Sequence, residues 1–425
     1  MKSKTSSLVF LSTITSVILG GIFGYYLPEI MLSVSFIGQL FINALRIVVI
    51  PVVVVSIIIG IAGMGDIKKI NRSVGKTILY FISTSAVAVC IGLILVYLIH
   101  PGGNLIIEGA YIPPETMQLK SFSFSGMIAS LLPENLFQAS FGGQMLGLII
   151  FSIFFGVVLA NSGTKRKIVI DFLQVINTSL SKLVVLILII APIGLFSLIG
   201  TITARNFSSI SNIAGNLFIF SLTLIIAFLI HTFIILPVAL KIFTNHSPFT
   251  YLKNSIPAIS TALGTASSIA TLPVTYDCVV EKNKIDNRAG ALTLPLGAAI
   301  NMNGTALYLV VATIFIAQVF QISLSPIQII LILGASLLVS VGSSVIPHAS
   351  VITLAIIFNI ADFPIGAYAG IGLIVAVDWF FDRWRTAVNV WSDTVGAAVI
   401  GNTFDFKTVR VSRTHSTGRT KVVNR

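Results

Sequence analysis

Residues 364–400 read PIGAYAGIGLIVAVDWFFDRWRTAVNVWSDTVGAAVI, and the fold turns on how that stretch is understood. It is long and apolar enough to cross a hydrocarbon core, which takes roughly 20 helical residues. Yet it carries Asp378, Asp382, Arg383, Arg385 and Asp393. A charged side chain at the bilayer centre costs at least about 2.5 to 3.5 kcal/mol on insertion scales, so these residues must face protein or a polar cavity. Asp378, Asp382, Arg385, Asn389 and Asp393 are spaced 4, 3, 4 and 4. That spacing keeps them on one helical face, an arc of roughly 80° at about 100° per residue. Internal pairs such as Asp382 with Arg385 would account for part of the stripe. Its continuation through Asn389 and Asp393 points instead to a working polar surface.

Outward from this span the chain is of one kind. Of its 425 residues 56% are hydrophobic and 9% charged, where a soluble domain carries about a quarter charged residues. Apolar runs predict spans at 8–27, 40–64, 76–99, 128–160, 170–203, 211–240, 288–320 and 364–400. With the N-terminus inside, Lys2, Lys4, Lys68, Lys69, Arg72, Lys76, Lys165, Arg166, Lys167, Lys282, Lys284, Arg288 and the basic tail all fall on the cytoplasmic side. Membrane proteins retain positive charge there, so the net charge of +12 needs no nucleic acid. Eight crossings, both termini cytoplasmic, in a cell inner or plasma membrane fit this distribution. The first run lacks a small-residue cleavage site and reads as a retained span. Cys90 and Cys278 suggest neither a disulfide framework nor a metal site. No HExxH, Walker A or GxGxxG sequence has a supporting context, and without extended linkers one integral domain over 1–425 is expected.

Two apolar segments do not read as crossings. Residues 254–281 lie between basic cytoplasmic stretches, so the chain must return to the side it left. Residues 325–358 are broken at Gly342-Ser343-Ser344-Val345-Ile346-Pro347, and a full crossing would place the basic tail outside. Both are expected to be re-entrant hairpins, with tips SSIATLP at 267–273 and SSVIP at 343–347. Backbone leaves the helix at membrane depth only where it is buried or lines a cavity. Paired broken segments in two halves point to a transporter's binding site, although Ser and Gly also serve close helix packing. The predicted fold is all-α and polytopic: eight transmembrane helices plus two re-entrant helical hairpins.

The preceding span contributes Asn301-Met302-Asn303-Gly304-Thr305, with Gly297 one turn earlier. Amide oxygens and carbonyls freed by a local break suit a small hard cation, and Gly304 would permit such a break. Asn389 and Asp393 would complete the cage, Asp393 with the negative charge.

SSIATLPVT at 267–275, NMNGTALY at 301–308, GSSVIP at 342–347 and DWFFDRWRTAVNVWSD at 378–393 resemble motifs of the sodium-coupled glutamate/aspartate transporter family, the dicarboxylate/amino acid:cation symporters. RIVVIP at 46–51, STSA at 83–86, LLPENLF at 131–137 and APIGLF at 191–196 extend a weaker likeness over most of the chain. The resemblance implies a symporter, not an enzyme, taking up an acidic amino acid with cations. It implies inverted repeats, an elevator motion and a homotrimer, with residues 1–75 and 128–240 mainly scaffold and 76–100 and 250–405 mainly mobile. Arg385 would hold the substrate's side-chain carboxylate, which its planar fork suits. Asp382 would accept from the amino group, and Thr305, Thr386 and Asn389 would hydrogen-bond the substrate. Ser267, Ser268 and the backbone at Ile346 would close over it, with Arg383 reaching it from the side or merely pairing. One sodium site would use Gly297, Asn301, Asn389 and Asp393; a second Ala299, Ser340, Val341 and Ser343; a third Thr84, Ser85, Asn301 and Asn303. No resident cofactor is implied; sodium, or a proton in its place, is cargo.

The departures from the family bear on coupling. Asn303 replaces an aspartate, so the third cation site should be weak or absent. Leu309 stands where animal glutamate transporters carry a glutamate linked to proton movement. Ala266 replaces an arginine of archaeal relatives, while Arg383 lies on the last span as in the animal proteins. Val345 and Ser350 stand where relatives tend to have glycines, which stiffens the outer hairpin. His348 beside Pro347 reads as an interfacial polar residue or as a pH-sensitive element. Aspartate, glutamate, C4-dicarboxylates and cystine stay open as substrates. An anion channel along the same polar path is a rival class. An intramembrane aspartyl protease using Asp66 and Asp277 is another, but it needs facing carboxylates, and Asp66 sits beside Lys68 and Lys69.

Overall fold

The computed structural model describes residues 3–62, 72–103, 135–141, 145–205, 210–343 and 350–403, and among these the regular elements are all helical. Helices α1 (Ser3–Tyr26), α2 (Pro28–Ser33), α3 (Ser35–Ala62) and α4 (Arg72–Ile99) open the chain. Next come α5 (Leu136–Phe141), α6 (Met145–Ala160) and α7 (Arg166–Arg205). Helix α8 (Ile210–Ile230) passes through a π-turn at His231–Ile235 into α9 (Leu236–Phe243). Then follow α10 (Pro248–Thr265), α11 (Ser268–Tyr276), a second π-turn at Asp277–Lys282, and α12 (Asn287–Ile300). The chain continues with α13 (Asn303–Val319), α14 (Pro326–Ser343), α15 (Ser350–Ile360) and the long α16 (Ala369–Thr403).

Local chemistry explains where these helices stop and start. Ser267 caps α11 by accepting from the Ala270 amide, satisfying a donor that the first helical turn leaves open. Asp286 does the same for α12 through Arg288 N at 2.8 Å. The Arg288 guanidinium also binds Asp286 and holds its carboxyl below the usual carboxylate range. Between α10 and α11 the chain reverses at Ala266, whose φ of 51° lies in the left-handed region. The two helices then pack side by side, as do α14 and α15.

Among the described residues, three helical stretches are long and apolar enough to cross a membrane: Gly75–Ile99, Ile213–Phe243 and Asn287–Val319. A fourth arises if the bent pair Ile365–Val375 and Val377–Asn402 is one span. The spans expected at 8–27, 40–64 and 170–203 fall on α1, α3 and α7. The start of the 128–160 span, the outer hairpin tip at 344–349 and the tail beyond 403 lie outside the described residues, as do Asp66, Lys68 and Lys69. Ile47, Leu98, Phe154 and Phe172 turn apolar side chains outward, a surface suited to hydrocarbon rather than water.

Helices α1 and α3 pack along α7, and α6 packs against α3. A second neighbourhood forms where α16 meets α9, α10, α12 and α13, with α4 and α8 against α13. At its centre α13 is buried from Asn303 to Ala317, as expected of a helix apolar on all sides. The polar stripe of α16 enters this interior.

Candidate functional site

Helix α16 carries the stripe inward on one face, with Asp378, Arg385, Asn389, Ser392 and Asp393 all buried. Arg385 donates through Nη2 to Asp382 Oδ1 at 2.7 Å and lies 3.3 Å from Asp378 Oδ1. Its guanidinium carbon stands 4.2 Å from the centre of the Tyr308 ring. A buried cation needs such compensation, and the aromatic face adds to it. The pairing considered from sequence is thus present, with a second acid added. Arg385 Nε, however, has no hydrogen-bond partner among the described residues. An unpaired buried donor is costly, and here it gives the guanidinium one open edge.

Asp378 uses its other oxygen to accept from Ser350 Oγ at 2.6 Å, so the first residue of α15 is tied to the stripe. Arg383 turns toward α10. Its Nη1 donates to Leu263 O at 3.0 Å and Gly264 O at 2.7 Å, carbonyls near the end of α10, and its guanidinium lies 4.1 Å from the Trp379 ring centre. Helix α16 is therefore tied to α15 through Asp378 and to α10 through Arg383, with Arg385 and Asp382 between the two attachments.

The break between α12 and α13 falls at Asn301 and Met302, at φ values of −90° and −108°. These are ordinary negative angles, so no glycine is required, contrary to the role expected of Gly304. Gly304 lies inside α13, where a Cβ would come within 2.7 Å of Arg385 O and 3.0 Å of Arg385 Cα. Its missing side chain serves the close approach of α16. Asn389 bridges the same contact: Oδ1 accepts from the Gly304 amide at 2.8 Å, while Nδ2 faces Met302 Sδ at 3.2 Å and Thr305 Oγ1 at 3.4 Å.

Below this level, Gly297, Asn301 and Asp393 come together. Asn301 Nδ2 donates to Asp393 Oδ1 at 2.7 Å and to Ser392 Oγ at 3.0 Å, and Gly297 abuts the Asp393 carboxylate. Asn301 Oδ1 is buried without a hydrogen-bond partner among the described residues. A carboxylate beside an unused amide oxygen is a donor set for a hard cation. Asn303 sits alongside, accepting from Ser85 Oγ at 2.5 Å and donating to Ser392 Oγ at 2.8 Å, with His231 Nε2 3.3 Å away. Thr84 bonds back to Tyr80 O and Phe81 O on its own helix.

The remaining expected residues are more dispersed. Thr386 donates to Asp382 O at 2.8 Å within α16, and Ser340 donates to Leu337 O at 2.9 Å. Ala299 and Val341 both border the apolar cluster around Trp391. Ser267 is occupied as a cap, with Ser268 buried beside it. The Ser343 side chain, Val345, Ile346 and His348 lie outside the described residues.

Sequence reasoning gave no role to Asp378, Tyr308, Ser392 or His231. An ionisable residue in an apolar run is itself a functional signal, and that criterion would have found His231 in 211–240. Nothing in sequence spacing shows that Arg385 reaches Tyr308 or that Asn301 and Asn303 share Ser392.

The chain matches the sodium:dicarboxylate symporter family over residues 9–403. It is similar to excitatory amino acid transporter 2 of Homo sapiens, 33% identical over 93% of this chain and 78% of the relative. Excitatory amino acid transporter 1 of Ambystoma tigrinum is 31% identical, covering 92% and 82%. An excitatory amino acid transporter of Caenorhabditis elegans is 30% identical, covering 93% and 87%.

Proposed function

Because the chain belongs to the sodium:dicarboxylate symporter family, a family of membrane transporters and not of enzymes, we propose that it takes up an acidic amino acid, aspartate or glutamate, together with sodium. The observation that carries this reading is Arg385. Its guanidinium is buried, keeps an open Nε edge, and stands 2.7 Å from the partly exposed carboxylate of Asp382. A fixed cation beside an accessible anion matches a ligand bearing a carboxylate and an ammonium group, and the fork of arginine favours the carboxylate. The relatives' names, which specify excitatory amino acids, agree with it.

In this reading Arg385 takes the side-chain carboxylate and Asp382 the amino group, while Thr305, Thr386 and Asn389 exchange their present partners for substrate. Ser267, Ser268 and the segment around Ile346 close over it, and Arg383 holds the inner hairpin. Sodium travels with Gly297, Asn301 and Asp393, joined by Asn389; Ala299, Ser340, Val341 and Ser343 form a second place. The mobile unit comprises 76–100 and 250–405 and moves as an elevator past a scaffold of 1–75 and 128–240. Eight spans and two hairpins, cytoplasmic termini and a homotrimer complete the proposal.

Purified protein in proteoliposomes tests it. Labelled L-aspartate should accumulate above its external concentration under an imposed sodium gradient and not under a proton gradient alone. Accumulation driven only by protons would replace sodium as the coupling ion. Equilibration without accumulation would mean a channel.

A further inference from the structure

Ser350 is the first residue of α15, and the structure gives its hydroxyl a definite partner. Ser350 Oγ donates to Asp378 Oδ2 at 2.6 Å, and both residues are buried. Asp378 Oδ1 lies 3.3 Å from Arg385 Nη2. A line of contacts therefore runs from the first residue of α15, the returning arm of the outer hairpin, through a carboxylate to the guanidinium assigned to the substrate.

The two acids beside Arg385 are not equivalent. Asp382 is partly exposed, with a side chain 23% accessible, whereas that of Asp378 is 5% accessible. Asp382 is the acid placed to turn toward a ligand's ammonium group. When it does so, Asp378 is left as the counter-ion of Arg385. Without the Ser350 hydroxyl, Asp378 Oδ2 would lose this bond and the carboxylate could turn. With Oδ2 fixed by a short bond to a carboxylate, which is stronger than a neutral one, the carboxylate plane is set. The guanidinium then keeps its pose, and its Nε edge stays where a ligand can meet it.

We propose that Ser350 is a positioning residue for substrate recognition, its hydroxyl fixing Asp378 and Asp378 in turn fixing the guanidinium of Arg385. The inference rests on the reading of Arg385 given above.

The experiment compares wild type, Ser350→Ala, Ser350→Thr and Asp378→Asn in proteoliposomes, with the melting temperature of each purified protein alongside. Ser350→Ala should raise the KM for L-aspartate about tenfold, as befits loss of a hydrogen bond to a charged group, with kcat largely kept. Its preference for aspartate over asparagine should fall, because that preference depends on an oriented guanidinium. Ser350→Thr should restore both values. Asp378→Asn keeps an acceptor for Ser350 but removes the charge facing Arg385, and it should raise KM even if Ser350→Ala proves too unstable to assay. An unchanged KM and an unchanged preference in Ser350→Ala or Asp378→Asn overturn the inference. So does a KM change that Thr fails to rescue. Wild-type protein that takes up no acidic amino acid overturns the reading beneath it, a result distinct from active wild type with indifferent variants.

Discussion

Arg385 is flanked by Asp382 and Asp378, with Tyr308 against its face. Removing one partner of a buried ionic group strands the others, at roughly 3–5 kcal/mol. Arg385→Ala is therefore expected to lower the melting temperature of the purified protein as well as abolish aspartate uptake. Arg385→Lys should recover most of the stability but little of the uptake, since an ammonium has no second edge. Thermal unfolding measured beside uptake separates the two effects; an Arg385→Ala protein of wild-type stability would show that the acids do not depend on the arginine. Asn303 gives a prediction of another kind, because it accepts from Ser85 and donates to Ser392 at once. A carboxylate keeps the first bond, loses the second and adds a charge that a cation favours. Asn303→Asp should steepen the sodium dependence of uptake, and an unaltered Hill coefficient would sink the idea. The spacing of the stripe told correctly which residues share one face of α16. It was silent on partners, because Ser350, Tyr308 and His231 reach the site from other helices and only the packed chain brings them there.

At the level of elements, the junction of α12 and α13 was legible as a break and misread in its cause. Asn301 and Met302 leave the helix at ordinary negative φ, while Gly304 lies within α13 so that α16 can come close. Gly304→Ala should force the two helices apart, at about 1–3 kcal/mol for an overpacked site. It should also move the Arg385 backbone, costing uptake more than stability; wild-type uptake by this variant would show that the spacing is slack. The π-turns were not legible at all. The one at His231–Ile235 interrupts a run of uniform apolarity, and the Thr232 carbonyl accepts from Trp391 Nε1 at 3.0 Å. Such a turn answers to packing against α16 and leaves no mark in local composition, although turns of this kind recur at functional sites. Between α10 and α11 the chain reverses at Ala266, one residue before the Ser-Ser pair expected as the tip of the inner hairpin.

For the whole molecule, composition and the length of the apolar runs pointed to a membrane protein, and the motifs led to the family before any geometry was in hand. Eight crossings were expected; among the described residues three stretches are long and apolar enough to cross a membrane, or four if the bent pair is one span. Helix α13, buried from Asn303 to Ala317, has a consequence for how the protein is made. A segment that touches no lipid in the finished molecule cannot be settled by lipid while it is being synthesised. The groups that receive Asn303 and the Gly304 amide belong to Ser392 and Asn389, which the ribosome delivers 89 and 85 residues later. Until α16 arrives, Asn303 has Ser85 and His231 beside it, but the Gly304 N–H lacks the Asn389 acceptor, and membranes penalise an unmet backbone donor. The polar end of α13 is thus completed only by α16. A chain ending before Asp378 should be cleared faster than the full-length protein although α13 itself is intact. Pulse–chase turnover measures this, and equal lifetimes would show that α13 settles without its last partner.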